Sequence, residues 1–524
     1  MADNARFHFA SCNRRRFLAA GSALALWPFH RLPNCSAADR TTRLGGYPFQ
    51  LGVASGDPTP DGMVLWTRLC VDPFGGAELP PEDVQVEWQV AEDEAMTHVV
   101  RKGVATAPHD WAHSVHVEVE GLKPDWTYFY QFKTGMETSP VGRTRTAPAL
   151  DALRDSFRFA FASCQKFEEG HYTAYEHMLK DDLHAVVHLG DYIYEGVPKA
   201  NTPRHYTGPR IKTLEDFRTR HAVYRSDPHL QAVHAAFPWL VTWDDHEVEN
   251  NYAADISQYA PAVRQEEFLT LRANAYKAYY EHMPLRASAL PRGPHMDLYR
   301  NVRFGRLIDI SVLDTRQYRS DQPCGDGYGV PCEAVYDPQA TLLGVEQEEW
   351  LKKQLLDSPC LWKVMAQQVI MAQVNFDPGT ETVFSMDKWS GYDVPRRRLM
   401  QFLEDHAVRN AVTLTGDVHC NWVNDLKVDY NDPGAPTLGT EFVGTSITSR
   451  GDGAETRSTT EGMLANNPAV KFFNDERGYV RCEVTPQTWR TDFRTVEYVS
   501  RPGAPCRTRA SFVVESGRPG AERA

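Results

Sequence analysis

At 524 residues, 42% of them apolar, the chain exceeds what one core usually holds, so two globular domains are expected rather than a disordered tract. A net charge of −13 and a pI near 5.8 lack the cationic footprint that non-specific binding to nucleic acid or to an anionic membrane requires. Small substrates and cations fit that balance better.

The amino terminus carries Asn13-Arg-Arg-Arg-Phe-Leu-Ala19, an apolar run from Phe17 to Phe29 too short to span a bilayer, and Cys35-Ser-Ala-Ala38, whose small residues suit cleavage. This order looks like a twin-arginine signal over residues 1–38. It implies the twin-arginine export machinery as a partner and a periplasmic or extracellular destination. No other segment has the apolar run that would anchor it in a bilayer. Cys324 and Cys332 bracket a Gly/Pro-rich loop, and an oxidising destination favours a local disulfide there.

Residues 46–148 show short alternating strands such as Val84-Gln-Val-Glu-Trp-Gln-Val90 and Val115-His-Val-Glu-Val119, the pattern of a small all-β domain of fibronectin or immunoglobulin type. Within it, Gly121 to Tyr130 resembles a tyrosine corner, in which a hydroxyl ties a strand start to the preceding turn.

Over residues 155–510 apolar strands alternate with amphipathic helical stretches, for example Leu214 to Tyr224 and Glu266 to His282, which predicts an α/β layered domain. Four apolar strands there end in polar clusters: at Ser163-Cys164, at Gly190-Asp-Tyr-Ile-Tyr194, at Trp243-Asp-Asp-His-Glu247 and at Gly416-Asp-Val-His419. Open α/β sheets keep ligands at such carboxyl ends. Together the ends offer Cys164, Asp191, Tyr194, Asp244, Asp245, His246, Asp417 and His419, a metal-site inventory that strand, turn and helix would bring to one edge of one sheet. If the strand continues through Asp417-Val-His419, its alternation lets both side chains share a cation.

Other features are open. Arg316, after an apolar strand, can steer phosphate or form a structural ion pair. Arg396-Arg-Arg398 reads as a solvated helix face, and Asn467 to Asn474 as a lid over the site or an amphipathic helix docked on the core.

The ordered blocks Leu51-Gly-Val-Ala-Ser-Gly-Asp-Pro58, Val64-Leu-Trp-Thr-Arg68, Ala162-Ser-Cys-Gln165, Gly190 to Tyr194, Trp243 to Glu247 with Asn250-Asn251, and Thr415 to His419 resemble those of the PhoD-like alkaline phosphatases. These form a secreted branch of the calcineurin-like metallophosphoesterase fold. The resemblance spans nearly the whole chain and implies a layered β-sheet sandwich flanked by helices, preceded by the small β domain. It implies Fe3+ and Ca2+ as cofactors, with Cys164 a thiolate ligand, Asp191 a carboxylate bridging two metals and Tyr194 a phenolate ligand to iron. By the same resemblance Asp245, Asp417 and His419 are ligands, and Asp244 and Asn250 support the metals or bind calcium. The resemblance also implies His246 near the substrate phosphate; His246 and Asp191 are the candidate catalytic residues, and Asn250 and Arg316 the candidates for the substrate side.

A hydroxide held between two cations and lowered toward neutral pKa would attack phosphorus in line. The implied activity is hydrolysis of phosphate monoesters, with capacity for diesters. A phosphodiesterase or phospholipase D-type hydrolase on the same scaffold is the alternative within the enzyme class. A non-catalytic cell-wall or metal-binding protein is the alternative outside it. Gly444-Thr-Ser-Ile-Thr448 lacks a nucleophile-elbow pattern, so no phosphoserine is implied.

Overall fold

Strands that are apolar on both faces need cover on both sides, and this chain supplies it with two packed sheets and two helical layers. The structure, a computed structural model, describes residues 44–74 and 79–524. The export signal read over residues 1–38 lies outside the described residues.

The larger sheet has ten strands. At its centre Phe157–Ala162, Ala185–Leu189, Pro238–Thr242 and Val53–Thr59 run parallel, flanked by antiparallel strands out to Arg518–Arg523 on one side and Ser114–Val119 on the other. In the seven-stranded sheet, Ile308–Val312, Trp362–Ala366, Ala411–Thr415 and Gly439–Val443 are parallel neighbours. Alternation along the strands explains the packing. Phe157, Phe159, Phe161, Val187 and Leu240 point inward and meet Ile308, Ile310, Val364, Val412 and Leu414 in one core between the sheets.

The opposite face of the larger sheet, with Val186, Trp239 and Val241, packs on residues of the helices Leu214–Arg225, Pro228–Ala236 and Gln265–His282. Thr213 starts the first of these with a capping box: its side chain accepts from the Asp216 N–H while Asp216 reaches back to the Thr213 N–H. The outer face of the second sheet is covered by Val345–Asp357 and Asp393–Asp405. The fold is therefore the layered α/β sandwich predicted. Among the described residues no helix is long and apolar enough to cross a membrane.

Toward the amino terminus, Val84–Ala91, Val99–Ala107, Thr127–Thr134, Glu137–Thr138 and Gly142–Arg145 form a five-stranded sheet. The Tyr128 hydroxyl accepts the Lys123 N–H at 2.8 Å, which is the tyrosine corner. Val53–Thr59, Gly62–Arg68 and Ser114–Val119 instead extend the larger sheet, and all described residues belong to one compact unit.

Two local readings are corrected. Residues 467–474 form neither lid nor helix: Val470–Asn474 is a strand paired with Asn421–Leu426. Arg396 is buried rather than solvated, its guanidinium held by Asp393 at 2.6 Å and by the Lys427 and Val428 carbonyls. The Cys324–Cys332 disulfide is formed.

Candidate metal centre

Cys164 follows Phe157–Ala162, Asp191 follows Ala185–Leu189, and Asp244, Asp245 and His246 follow Pro238–Thr242, three neighbouring strands of the larger sheet. Asp417 and His419 follow Ala411–Thr415, which belongs to the facing sheet. The site thus straddles the carboxyl edges of two packed sheets, not one edge of one sheet. Periodicity identifies a strand but not the sheet it joins.

The turns that present these groups are strained. Cys164, Asp191, Asp417 and His419 all adopt left-handed backbone, with φ of 59°, 56°, 64° and 61°. Such conformations in non-glycine residues persist where surrounding structure over-determines them. Here the Cys164 N–H donates to the Gly190 carbonyl at 3.1 Å and the Gln165 N–H to the Asp191 carbonyl at 3.1 Å. The buried Glu247 carboxylate accepts the N–H groups of Asp191, Tyr192 and Asp244 at 3.2, 2.5 and 2.8 Å, tying two strand ends together. Gly190 has φ of 99°, and a Cβ there would sit 2.4 Å from the Asp244 nitrogen. Only glycine fits that crossing.

Three groups of side chains each bring their ligand atoms within 4.8 Å of one another: Cys164, Asp191 and His419; Asp191, Asp245 and His246; Asp245, Asp387 and Asp417. Asp191 and Asp245 each belong to two groups, so the three form one connected cluster. The Tyr194 hydroxyl stands beside it, donating to Asp191 Oδ2 at 2.8 Å and lying 2.7 Å from Ser449 Oγ and 3.2 Å from His419 Nε2. Asp417 and His419 fall in different groups because the strand has already ended at Thr415, so the alternation expected of them does not apply.

The residues present fit cations. Asp191 Oδ1, Asp244 Oδ2 and His419 Nδ1 are buried without a hydrogen-bond partner in the protein, which leaves each available to a cation. Burial first, with added repulsion from Asp191, pushes both the Cys164 thiol and the Tyr194 phenol well above their ordinary pKa. Burial raises Asp191 to about 6 against the pull of His246, with Asp245 adding to the rise. Burial followed by Asp191 raises Glu247 to about 8. Multivalent positive charge would relieve all of these penalties at once.

Part of the negative charge is already balanced. Arg316 is fully buried, its Nε 2.6 Å from Asp244 and its Nη1 2.6 Å from Asp387, with Nη2 facing Asp245 and Asp417 at 3.4 and 3.7 Å. Arg319 and Lys388 also pair with Asp387, and Lys388 pairs with Asp417. Burial opposes ionisation of Asp387, but Arg316, Lys388 and Arg319 outweigh it and hold its pKa well below the usual range. In the same way Arg316 and His246 overcome burial to bring Asp245 down to about 2. Asp244 therefore faces Arg316 on one oxygen, with the other free. The Asn250 N–H donates to Glu195 at 3.2 Å, and the Asn251 N–H to Asp245 at 2.8 Å.

His246 is held by Glu195, whose Oε2 lies 2.7 Å from Nδ1, and its ring packs on Tyr194 with centroids 4.2 Å apart. Burial disfavours its charge, yet the carboxylates of Glu195, Asp191 and Asp245 prevail and raise its pKa well above the ordinary value. With 21% of its side chain accessible, His246 faces the open side of the site.

Asp387, Lys388, Glu195, Glu247 and Ser449 join the site without having been singled out in the sequence. Glu247 closes the block Trp243 to Glu247, and Glu195 directly follows the block Gly190 to Tyr194, so their position beside the strand ends is the signal that could have found them. Asp387 and Lys388 come from the loop after Phe384–Ser385, where no long apolar strand leads in.

Comparison with known proteins agrees over nearly the whole length. A family model described as "PhoD-like phosphatase" matches residues 159–493, and one described as "PhoD-like phosphatase, N-terminal domain" matches residues 34–148. The chain is 52% identical over 479 residues to "Alkaline phosphatase D" of Bacillus subtilis (strain 168), covering 90% of this chain and 82% of the relative. A solved structure titled "Structure of PhoD" superimposes with a TM-score of 0.89 at 51% identity, covering 91% of this chain and 92% of the other. With the layered fold, the strand-end cluster and these matches all in agreement, the chain belongs to the PhoD-like phosphatase family.

Proposed function

We propose that this chain is an exported, metal-dependent phosphoric ester hydrolase acting on phosphate monoesters and diesters, with a β domain over residues 46–148, three of whose strands extend the larger sheet, preceding a catalytic domain over 155–510. The observation that carries the reading is the connected cluster in which Asp191 joins Cys164 and His419 on one side and Asp245 and His246 on the other. Cys164, Tyr194 and His419 would hold Fe3+, whose high charge suits a thiolate and a phenolate. The carboxylates of Asp245 and Asp417, with Asp244 beside them, would hold Ca2+. Asp191 would serve both.

When bound, the cations supply Lewis acidity that activates water and offsets charge on the phosphoryl oxygens. The remaining work falls to the protein. Glu195 orients His246 through Nδ1 and favours its charged form, which would let the ring donate to a phosphoryl oxygen or to the departing alcohol oxygen. Glu247 fixes the Asp191 and Asp244 turns before substrate arrives, which keeps the cluster preorganised. Arg316 limits repulsion among Asp244, Asp245, Asp387 and Asp417, and Asn250 completes the wall beside Glu195.

Elemental analysis of the exported protein, combined with parallel monoester and diester assays before and after chelation, tests this. Bound iron and calcium with turnover lost on chelation and restored by metal is the expected result. Metal-replete protein that turns over neither ester class overturns the reading.

A further inference from the structure

Beside the metal centre lies a cavity of about 250 Å3 that the hydrolase reading does not use. Val418, the residue between Asp417 and His419, forms part of its wall. Four aromatic rings line part of the remaining wall, alongside Cys420, Thr459, Thr460, Met463 and two arginines. Tyr328 meets Phe376 edge-on with centroids 5.0 Å apart, Phe376 meets Trp422 at 6.1 Å, and Trp422 meets Phe473 at 4.8 Å. The disulfide-closed loop from Cys324 to Cys332 carries Tyr328, and Tyr328–Gly329 pairs with Phe384–Ser385, which fixes this wall.

Two arginines line the cavity, and their surroundings differ. Arg457 is paired with Asp475 through two contacts of 2.7 Å, a carboxylate that Arg477 shares at 2.9 Å. Arg450 is exposed, and its guanidinium has no carboxylate partner among the described residues; only its backbone N–H is held, by Glu169. It directly follows Ser449, whose hydroxyl touches Tyr194. An unpaired cation thus stands where the cavity meets the metal centre.

Resting on the hydrolase reading, we infer that this cavity is the subsite for the alcohol portion of the ester, that it selects a flat aromatic or heteroaromatic ring, and that Arg450 binds the substrate's phosphoryl oxygens at its mouth. An apolar cavity of about 150 Å3 already accommodates benzene, so this one holds a substituted or fused ring. Rings packed edge-on around an opening offer a planar guest offset and T-shaped contacts. In the reaction, the oxygen of water bonds to phosphorus as the bond from phosphorus to the alcohol oxygen breaks, and the aromatic alcohol leaves with a proton into the pocket. Arg450, a planar fork of donors, fits phosphate geometry better than lysine would.

The test measures kcat and KM of the metal-loaded full chain on 2-naphthyl phosphate and on glycerol 3-phosphate, for the wild type and for Tyr328→Ala, Phe376→Ala, Arg450→Ala and Arg450→Lys. Each ring variant should lower kcat/KM on the naphthyl ester about tenfold and change the glycerol ester less than about twofold. Arg450→Ala should raise KM on both esters about tenfold, with partial recovery in Arg450→Lys. As a second readout, 2-naphthol should inhibit glycerol-phosphate hydrolysis competitively, and Tyr328→Ala should weaken that inhibition. Equal losses on both esters in the ring variants, or no losses, overturn the subsite alone. An inactive metal-loaded wild type overturns the hydrolase reading and the subsite with it.

Discussion

Tyr194 and Asp191 are three residues apart and share a hydrogen bond, yet their environments assign them different work. Asp191 connects two ligand groups, whereas Tyr194 lies at one end, beside Cys164's group. Removing the phenol oxygen by Tyr194→Phe leaves the carboxylates in place. Its expected effect is the loss of the visible absorption that tyrosinate bound to ferric iron produces, with calcium retained. A wild-type protein that binds iron but shows no such band, or a band that survives Tyr194→Phe, contradicts the assignment. Residue identity at the strand ends made these candidates legible in the sequence. Environment was not legible: Arg316 read equally well as a phosphate-steering residue or an ion pair, and only its burial among Asp244, Asp387, Asp245 and Asp417 reveals what it touches.

Among the elements, the strand Ala185–Leu189 and its turn matter most, because the turn crosses the one after Pro238–Thr242 at Gly190. Gly190→Ala would force a Cβ to within 2.4 Å of the Asp244 nitrogen and strain a φ of 99°. The expected cost is about 3 kcal/mol of stability together with loss of activity, measurable by denaturant titration and ester turnover. A Gly190→Ala protein with wild-type stability would show that the crossing yields easily. The four strand ends were readable because uninterrupted apolar runs finished in acids and histidines. What could not be read was pairing between distant strands: Ala411–Thr415 looks like its three counterparts but sits in the other sheet. Val470–Asn474 failed for a related reason, since a short run of mixed residues at a sheet edge carries no clear period. Asp387 reaches the site on a loop, and loops announce no destination.

Across the whole molecule, the core behind the larger sheet holds an uncommon number of buried histidines. His188 and His221 are held by burial at a pKa of about 3, and burial also takes His234 and His282 well below the ordinary value. His221 stacks on His282 and His234 on Trp239. These rings are neutral in the folded protein but take up protons near pH 6.5 once unfolded, so the unfolded state binds more protons as acidity rises. Their contribution is fully present above pH 6.5 and is lost as pH falls toward 3. Tm should therefore drop steadily from pH 7.5 to pH 5, with a shallower slope in His188→Phe. A flat Tm over that range would count against burial of these rings in the neutral form.

The most direct test of the central assignment is metal content and ester turnover in Asp191→Asn, measured beside the wild type with circular dichroism as a check on folding. A folded variant that has lost bound metal and at least about 10³-fold of its turnover is the expected outcome, since the amide cannot replace a carboxylate shared between cations. A folded Asp191→Asn protein with wild-type metal content and wild-type activity would contradict the placing of Asp191 at the centre of a metal-dependent phosphatase.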